Sequence, residues 1–280
     1  MIAVLGTGLL GSNFARALIA KGETVHVWNR TFARAQALEV EGAKAFAEAA
    51  QAVAGAARVH VVVSDDAAVD GVLAAACCAA GTLVIDHSTT STAGAKARTA
   101  RADLTYVHAP VFMGPQNARD ATGIMLISGD RARIERVTPM LSTMTGTLID
   151  LGERVDAAAA FKLMGNTFLM GFTAAIGDLI GLGKALGFSA AEAITLFEHF
   201  NPGAMIGARA KRIASGDFTR PSWELAMARK DARLVQEEVE RAHVAHAGLV
   251  LVPAITARMD EMIGRGHSHD DWTVIAKDFV

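Results

Sequence analysis

The pattern of hydrophobic and polar positions changes character near residue 153. Before it, short apolar runs rich in Val, Ile and Leu alternate with Ala-rich segments of helical period. Such alternation predicts strands joined by crossover helices, and therefore a largely parallel, doubly wound sheet. The predicted strands cover residues 2–6, 24–29, 59–64, 83–88, 105–110, 124–129 and 147–152.

After residue 153 the strand pattern disappears and helical periodicity takes over. Helices are predicted over residues 155–187, 189–200, 203–214, 222–246 and 250–265, with Gly187, Pro202, Pro221 and Pro253 as breakers. The sequence therefore predicts an α/β domain over residues 1–153 and an all-helical domain, for substrate binding and dimerisation, over residues 154–280.

The long apolar helix raises the question of a membrane. The stretch from 163 to 183 approaches the length of a membrane span, but Asn166, Asp178 and several glycines interrupt it. We expect a buried helix at a domain or subunit interface, because its apolar positions surround the helix rather than follow one face. This predicts a homodimer or higher homo-oligomer and no membrane partner.

Composition narrows the function classes. Hydrophobic residues make up 51% of the 280 positions, charged residues make up 20%, and the net charge is −2. This is typical of a globular protein and offers no basic field for nucleic acid. Cys77 and Cys78 are adjacent, are expected to be small buried apolar residues, and suit a reducing compartment. No secretory signal is visible, so a cytoplasmic location is predicted.

A glycine pattern opens the chain directly after the first predicted strand. Gly6, Gly8 and Gly11 have G-x-G-x-x-G spacing, followed by an amphipathic helix. In this setting the first glycine permits a tight turn, the second lets backbone approach a pyrophosphate, and the third allows close helix packing. The pattern predicts a dinucleotide-binding Rossmann domain.

The end of the second predicted strand indicates which dinucleotide binds. An NAD site usually carries an acidic residue there, whereas this chain reads Asn29, Arg30 and Thr31. A cation and polar donors favour the 2′-phosphate of NADP(H). The alternative interpretation is that Arg30 is an ordinary solvated arginine of a loop.

Two polar residues interrupt the apolar run "AAAAFKLMGNTF". Lys162 and Asn166 are four residues apart, so on a helix they lie on the same face. Lysines can extend from apolar helices into water, and this is the plain explanation. However, Ala158, Ala159 and Leu169 around the lysine leave little solvated face, and two buried polar groups need partners. The pair is therefore a candidate for contact with a polar substrate.

A cluster near the C-terminus could suggest a metal. It contains His267, His269, Asp270 and Asp271. Short polar segments of this kind are more often exposed loops, and no ligand elsewhere completes a set, so no metal is predicted. Hydrolase motifs are also lacking.

Taken together, these motifs resemble the β-hydroxyacid dehydrogenase superfamily, which includes 3-hydroxyisobutyrate dehydrogenase and the glyoxylate/succinic semialdehyde reductases. The resemblance runs nearly end to end. It is carried by the glycine loop, "VVVSDDAAV", "IDHSTTS", "APVFMGPQNARDATGIMLISGD", "FKLMGN" and "ARKDARL".

The resemblance implies roles for individual residues. Lys162 is implied as the general acid or base for the carbonyl oxygen, and Asn166 as a group that holds the substrate or steadies the lysine. The implied cofactor-binding residues are Gly6, Thr7, Gly8, Leu9, Leu10, Asn29, Arg30, Thr31, Val63, Ser64, Thr89 and Lys230. The implied substrate-binding residues are Ser88, Phe112, Met113, Gly114, Lys162, Asn166 and Asp231.

Two departures from the family pattern affect these implications. The family commonly reads Ser-Gly-Gly in the substrate loop, where this chain has Phe112, Met113 and Gly114, so a bulkier or less acidic substrate is expected. Before Lys162, usual glycines are replaced by Asp156 and Ala158, which leaves the start of the helix open.

Three functions remain open. The resemblance favours hydride transfer between NADP(H) and a small hydroxy acid or its aldehyde or keto counterpart. An imine reductase of the same superfamily is the first alternative, although those enzymes generally lack the lysine. A non-enzymatic dinucleotide-binding scaffold is the second, and the presence of Lys162 disfavours it.

Overall fold

The N-terminal part is a six-stranded parallel sheet with helices on both faces. The computed structural model describes residues 1–244 and 248–280. The strands are β1 (Ile2–Leu5), β2 (Val25–Trp28), β3 (Lys44–Phe46), β4 (Arg58–Val61), β5 (Leu83–Asp86) and β6 (Thr105–His108). Their order is β3-β2-β1-β4-β5-β6, so the chain reverses its direction of winding between β1 and β4. This strand order confirms the predicted doubly wound fold. Ligands of such sheets bind at the point where the winding reverses.

The remaining strands form a second, three-stranded sheet. It consists of β7 (Val111–Phe112), β8 (Ile124–Ile127) and β9 (Thr147–Asp150). β7 pairs antiparallel with β8, and β8 pairs parallel with β9. The last two predicted strands therefore belong to a sheet of their own. Periodicity finds strands but does not tell which neighbours they pair with, and the very short β3 and β7 gave no periodic pattern at all.

Crossover helices surround these sheets. They are α1 (Leu9–Ala20), α2 (Phe32–Gln36), α3 (Ala49–Val53), α4 (Asp66–Ala76), α5 (Thr92–Thr99), α6 (Pro115–Asp120) and α7 (Arg131–Leu141). The core lies on both faces of the main sheet: Ile2 and Val4 belong to one apolar cluster, and Ala3 and Leu5 to another. Because successive strand residues point to opposite faces, both faces of β1 are buried, as is typical of a parallel sheet.

The second half is helical, as predicted. Its helices are α8 (Ala157–Ala185), α9 (Ala190–Ile194), α10 (Leu196–His199), α11 (Ile206–Ser215), α12 (Leu225–Ala242) and α13 (Leu251–Gly264). The predicted helix 189–200 is interrupted at Thr195. The last residues of the predicted helix 222–246 lie outside the described residues. Short 3-10 helices cover Pro202–Met205 and Trp272–Phe279, and the second of these was not predicted.

Helix α8 is apolar and largely exposed. Its 29 residues satisfy the length and composition of a membrane span, at a mean hydropathy of 1.3, and only 6% of the apolar window is buried. The helix is thus not buried within the single chain, and its predicted burial at a domain or subunit interface stays a prediction. Length and composition alone are weak evidence for a membrane, and the prediction of a water-exposed protein without a membrane partner stays a prediction.

The structure divides into two compact units. The first comprises Met1–Asn166 and the second Thr167–Val280. The division after Asn166 lies inside α8, which begins in the first unit and continues into the second. The domain boundary predicted at residue 153 stays a prediction.

The two cysteines differ from expectation. Cys77 is exposed, ends α4 and has a left-handed backbone with φ of 44°. Cys78 is partly buried against one of the core clusters. The prediction of two small buried residues is therefore wrong for Cys77, which is the exposed residue at the end of α4.

Candidate functional site

The glycine loop between β1 and α1 has the geometry that its spacing predicts. Gly6 has φ of +99°, and a Cβ there would lie 2.1 Å from the Val62 carbonyl oxygen. A Cβ on Gly11 would lie 1.9 Å from the Gly6 carbonyl oxygen. Any side chain at these two positions would therefore push the loop, β4 and α1 apart.

Gly8 is different because it has free space around it. A Cβ there would have no atom within 4 Å, and Gly8 caps α1 without any side-chain hydrogen bond. The first turn of α1 also carries no acidic residue. The backbone N–H groups of this helix end are therefore available to an anion, which is the arrangement that holds a pyrophosphate.

Asn29 fixes the loop to the end of β2. Its side-chain oxygen accepts a hydrogen bond of 3.0 Å from the Thr7 N–H, and its amide donates to the Thr31 carbonyl at 3.1 Å. Asn29 therefore acts through the loop backbone, a role that the sequence motif did not specify. The buried Thr7 hydroxyl has no hydrogen-bond partner within the described residues.

A cavity of about 780 Å³ lies beside the loop, within the first compact unit. Its size is that of a ligand site. The predicted residues that line it are Gly6, Gly8, Leu9, Leu10, Asn29, Arg30, Thr31, Val63, Ser64, Ser88, Thr89, Met113 and Lys162. The structure thus brings the two ends of the predicted site, the glycine loop and the lysine, to one cavity.

Several lining residues were missed from the sequence. They are Trp28, Arg34, Val62, Ala67, Ala68, Gly71, Val72, His87 and Val111, whereas Gly11 belongs to the predicted glycine loop. Arg34 could have been found, because "NRTFAR" places a second arginine on the helix that follows Arg30. Val62, Ala67, Ala68, His87 and Val111 lie within the motifs that carry the resemblance, but no role was assigned to them. Arg30, Arg34 and Lys162 are the charged side chains of the lining within the described residues, so the cavity suits an anionic ligand.

The ends of β4 and β5 shape the floor of the cavity. The Ser88 hydroxyl accepts a hydrogen bond of 2.9 Å from the Val63 N–H. The carboxylate of Asp86 accepts bonds from the Ser88 N–H at 2.8 Å and from the Tyr106 hydroxyl at 2.6 Å. Burial and the adjacent carboxylate raise the pKa of Tyr106, so it remains a donor. Ser88 is therefore a positioning residue for the loop that carries Thr89.

A chain of buried histidines runs behind this floor. Arg58 donates through Nε to His60 Nε2 at 3.1 Å, which leaves His60 Nδ1 to donate to His87 Nε2 at 2.9 Å. His87 Nδ1 then donates to the Ala109 carbonyl at 2.8 Å. The network assigns one tautomer to each ring. Burial lowers the pKa of His87 to about 4 and that of His60 well below its usual value, so both are neutral near pH 7.

The start of α8 is held by residues that lie outside its first turn. The Ser128 hydroxyl accepts a bond of 3.0 Å from the Ala158 N–H. Asp156 pairs with Lys96 at 3.0 Å and with Arg154 at 2.8 Å, and the two cations hold the pKa of its carboxyl well below its usual range. The departures Asp156 and Ala158 thus fit a helix that begins at Ala157.

Lys162 lies in this cavity with an aromatic neighbour. Its Nζ is 4.2 Å from the centroid of the Phe112 ring. The side chain is half-buried rather than enclosed, and Leu169, which was expected to cover it, is itself 51% exposed. Burial lowers the pKa of the Lys162 ammonium, which is the direction that favours proton transfer near neutral pH.

Six predicted site residues are not part of this lining: Thr7, Phe112, Gly114, Asn166, Lys230 and Asp231. Asn166 follows Lys162 by one turn of α8 and is partly buried, and Gly114 caps α6. Lys230 and Asp231 belong to the second unit, where they form an exposed ion pair of 2.7 Å. Their roles toward cofactor and substrate stay predictions.

The C-terminal polar cluster is engaged in structural contacts. His267 bonds to Asp270 at 2.7 Å, and His269 bonds to Glu224 at 3.3 Å. Asp271 pairs with Arg212 and caps the last 3-10 helix. Within residues 1–244 and 248–280, no group of three potential ligands is close enough for a metal.

Comparison with known proteins identifies the family. Residues 1–152 match the NAD binding domain of 6-phosphogluconate dehydrogenase, which covers more than half of the chain. The chain belongs to this family, within the β-hydroxyacid dehydrogenase superfamily. The superfamily is one of oxidoreductases with a nicotinamide dinucleotide cofactor, so the resemblance seen in the sequence is confirmed.

Two relatives illustrate the range of the family. The chain is 32% identical over 196 residues to the "Probable 3-hydroxyisobutyrate dehydrogenase" of Mycobacterium tuberculosis, covering 68% of this chain and 66% of that one. It is 31% identical over 248 residues to the human "Cytokine-like nuclear factor N-PAC", covering 83% of this chain. The chain spans only 43% of the length of that second relative.

Solved structures share the fold over the whole chain. An imine reductase from Myxococcus stipitatus in complex with NAD+ superposes with a TM-score of 0.89 at 19% identity, covering 100% of this chain and 99% of that one. An imine reductase from a Pseudomonas species gives 0.88 at 24% identity, with the same coverage. A reductive aminase from Aspergillus terreus in complex with NADPH4, cyclohexanone and allyl amine gives 0.87 at 20%, again with the same coverage.

Proposed function

We propose that the protein is an NADPH-dependent reductase that transfers hydride to a small aldehyde, ketone or keto acid, with the hydroxy compound as product. The observation that carries this proposal is the cavity that holds both the glycine loop and Lys162. A dinucleotide-binding loop alone fits many functions, whereas an amine at the same cavity adds a proton donor.

The residues fit an NADP(H) molecule. The free space at Gly8 and the uncapped end of α1 suit the pyrophosphate, and Arg30 and Arg34 suit the 2′-phosphate. No acidic side chain lines the cavity in the described part of the chain, so nothing there would repel that phosphate. The bound cofactor would supply the hydride.

Lys162 would supply the proton. Reduction of a carbonyl builds negative charge on its oxygen, and a positioned ammonium both stabilises that charge and removes it by donating a proton. The lowered pKa makes Lys162 a better donor than a free lysine. Asn166, on the same face of α8, would bind the substrate oxygen or the amine.

Imine reduction is the second candidate. It is favoured by the apolar character of the substrate loop, where Phe112 and Met113 replace small polar residues of the family pattern. The structural neighbours named imine reductases and reductive aminase agree with it at the level of fold. An imine that is already protonated needs no acid, so this reaction would not require Lys162.

The test is to replace Lys162 by Met, which keeps the length and removes the amine. We expect turnover of the best carbonyl substrate to fall by ~10²–10⁴-fold, with the NADPH dissociation constant unchanged. Lys44→Met is the comparison variant, because Lys44 is exposed, lies outside the cavity lining and also has its Nζ over a phenylalanine ring. Carbonyl reduction at the normal rate in Lys162→Met would refute the lysine role, and selective retention of cyclic-imine reduction would support the second candidate.

The proposal also includes a homo-oligomer and a cytoplasmic location. The exposed apolar side chains of α8 support the oligomer, because a large apolar surface is costly to leave in water. The cytoplasmic location rests on the sequence alone.

A further inference from the structure

The backbone that carries Phe112 is fixed on several sides. Phe112 lies in β7 opposite Ile124 of β8. The next turn is closed by a hydrogen bond of 2.9 Å from the Gly114 N–H to Asn117 Oδ1. Gly123 has φ of +83°, and a Cβ there would lie 3.0 Å from the Phe112 carbonyl oxygen. The ring is therefore held on a defined support rather than on a loose loop.

The ring of Phe112 lies directly on α8. A Cβ on Gly165 would lie 2.2 Å from Phe112 Cζ and 2.6 Å from Cε1, so only glycine admits the ring in this place. Gly165 stands between Lys162 and Asn166 in the chain, and Lys162 Nζ is 4.2 Å from the ring centroid. Phe112 and Gly165 thus form a matched pair beside the amine.

The charges of the cavity limit what can bind near that ring. Besides Lys162, the lining of the first unit holds the cations Arg30 and Arg34, which follow β2 and are assigned above to the cofactor phosphate. His87 is neutral, because burial lowers its pKa to about 4. Val111 and Met113, the lining residues on either side of Phe112 in the chain, are apolar.

Among the described lining residues of the first unit, Lys162 is therefore the one cation left for a substrate carboxylate, and it is also the proton donor. If the carboxylate pairs with Lys162, the ammonium is turned away from the carbonyl oxygen. The face of an aromatic ring is also electron-rich, which attracts the ammonium but repels a carboxylate. An uncharged substituent neither pairs with Lys162 nor is repelled by the ring, and an apolar one gains contact with the ring.

We propose that Phe112, seated on Gly165, is a specificity-determining residue that selects carbonyl compounds with an uncharged, apolar substituent over those with a carboxylate. This inference rests on the proposed carbonyl reduction and narrows its substrate class. It predicts that keto acids and aldehyde acids are the poorer substrates.

The test compares 4-oxobutanoate with its methyl ester. We expect wild-type kcat/KM to favour the ester by ~10–100-fold, as is typical of one mismatched group in a pocket. Phe112→Ser removes the ring and adds a hydroxyl. It should reduce the ratio of kcat/KM for the ester to kcat/KM for 4-oxobutanoate at least about tenfold. Gly165→Ala displaces the ring without changing it and should also narrow the ratio. Phe279→Ser, at a ring that is 82% exposed and lies near Arg258, should leave the ratio unchanged.

The pH profile gives a second measurement on the ring. Phe112→Leu keeps the apolar volume but loses attraction for the ammonium, so the apparent pKa that governs kcat/KM for the ester should fall. Phe112→Ser admits water, and that pKa should rise. A wild-type preference for 4-oxobutanoate, or an unchanged ratio in both Phe112→Ser and Gly165→Ala, would overturn the inference.

Binding separates this inference from the proposed function. Butanoate and methyl butanoate cannot be reduced at an aldehyde, and their affinities for the NADP+-loaded protein can be compared by ligand-observed NMR. If neither aldehyde is reduced but the ester analogue binds better and Phe112→Ser removes the difference, the reaction is wrong and the selectivity stands. If both aldehydes are reduced equally and both analogues bind equally, the reaction stands and the role of Phe112 is wrong.

Discussion

The two compact units differ in how completely their apolar side chains are buried. In the first, two large clusters fill both faces of the main sheet, and side chains such as Ile85 and Val84 are fully buried. In the second, the described core is one cluster of six buried residues around Leu225 and Met262. Large apolar side chains of α8, among them Phe168 at 54% and Met170 at 66%, remain exposed.

This difference in burial indicates different roles for the two units. The first unit closes its own core and still leaves a cavity with three cations and a glycine loop. The second unit holds its helices together through specific polar contacts, such as Asp178, which accepts backbone N–H bonds from Val250, Leu251 and Val252. An exposed apolar surface of this size is typical of an interaction site, and we predict that a second copy of the chain covers it.

The largest effect is expected from placing charge on that surface. We predict that wild type is at least a dimer at micromolar concentration and that Phe168→Asp combined with Met170→Asp sediments as a monomer. An unpaired carboxylate in an interface costs several kcal/mol. Val40→Asp, at a position 91% exposed in the first unit, is the matched control and should leave the sedimentation coefficient unchanged. A wild-type monomer in sedimentation velocity would contradict the prediction, and wild-type partition onto lipid vesicles would point to a membrane instead.

Core truncation should distinguish the two units next. Ile85→Ala, at a fully buried position, should lower the free energy of unfolding by about 2–5 kcal/mol at every protein concentration. Leu169→Ala, at a position 51% exposed in the single chain, should cost little in dilute protein. If Leu169 is covered by a second copy, its cost should grow with protein concentration, because association then contributes to stability. Urea titrations at two concentrations measure both.

The sequence predicted the fold of the first unit well, for a physical reason. Its strands are buried on both faces and its glycines satisfy geometric demands that no other residue can, so pattern and spacing carry the information. The position of Lys162 was also found, because an amine in an apolar run is conspicuous.

Other features could not be predicted because they arise between distant segments. The histidine chain joins Arg58, His60 and His87 from neighbouring strands, and each of them alone is an ordinary core or edge residue. Likewise, Phe112 and Gly165 are more than fifty positions apart in the chain, and only the fold places the ring on the glycine. Burial of α8 at a subunit interface stays a prediction, because composition does not tell which chain covers a helix.

The buried histidines should make the first unit sensitive to acid. The unfolded pKa of histidine is about 6.5, and burial lowers that of His87 to about 4, so the unfolded chain binds the proton more readily. The contribution of His87 to the free energy of unfolding is therefore fully present above pH 6.5 and is lost as the pH falls toward 4. His87→Gln should remove about 3 kcal/mol of this pH dependence.

The control for this prediction is the exposed histidine of the second unit. His269→Gln, at a side chain 87% exposed, should leave the dependence of unfolding free energy on pH unchanged. Charged and titratable groups near His87 include Asp86, His108 and its hydrogen-bond partner His60. The difference between the two variants, rather than either curve alone, therefore measures the effect. Equal slopes in wild type and His87→Gln between pH 4 and 7 would show that His87 does not resist protonation.

The smallest expected effect concerns the cofactor end of the first unit. Arg30→Asp should weaken NADPH binding roughly 10–100-fold, because a charge-assisted bond worth about 1.5–3 kcal/mol is replaced by repulsion of the 2′-phosphate. NADH affinity should be unchanged or improved, because a carboxylate at this place can accept bonds from the ribose hydroxyls. Arg34→Gln should show a weaker loss in the same direction, since Arg30 remains. Arg136→Asp makes the same change of charge at an exposed position outside the cavity lining and serves as the control. Fluorescence titrations of wild type and the three variants with each cofactor measure the dissociation constants. Equal wild-type affinity for NADH and NADPH would remove the role assigned to the arginines.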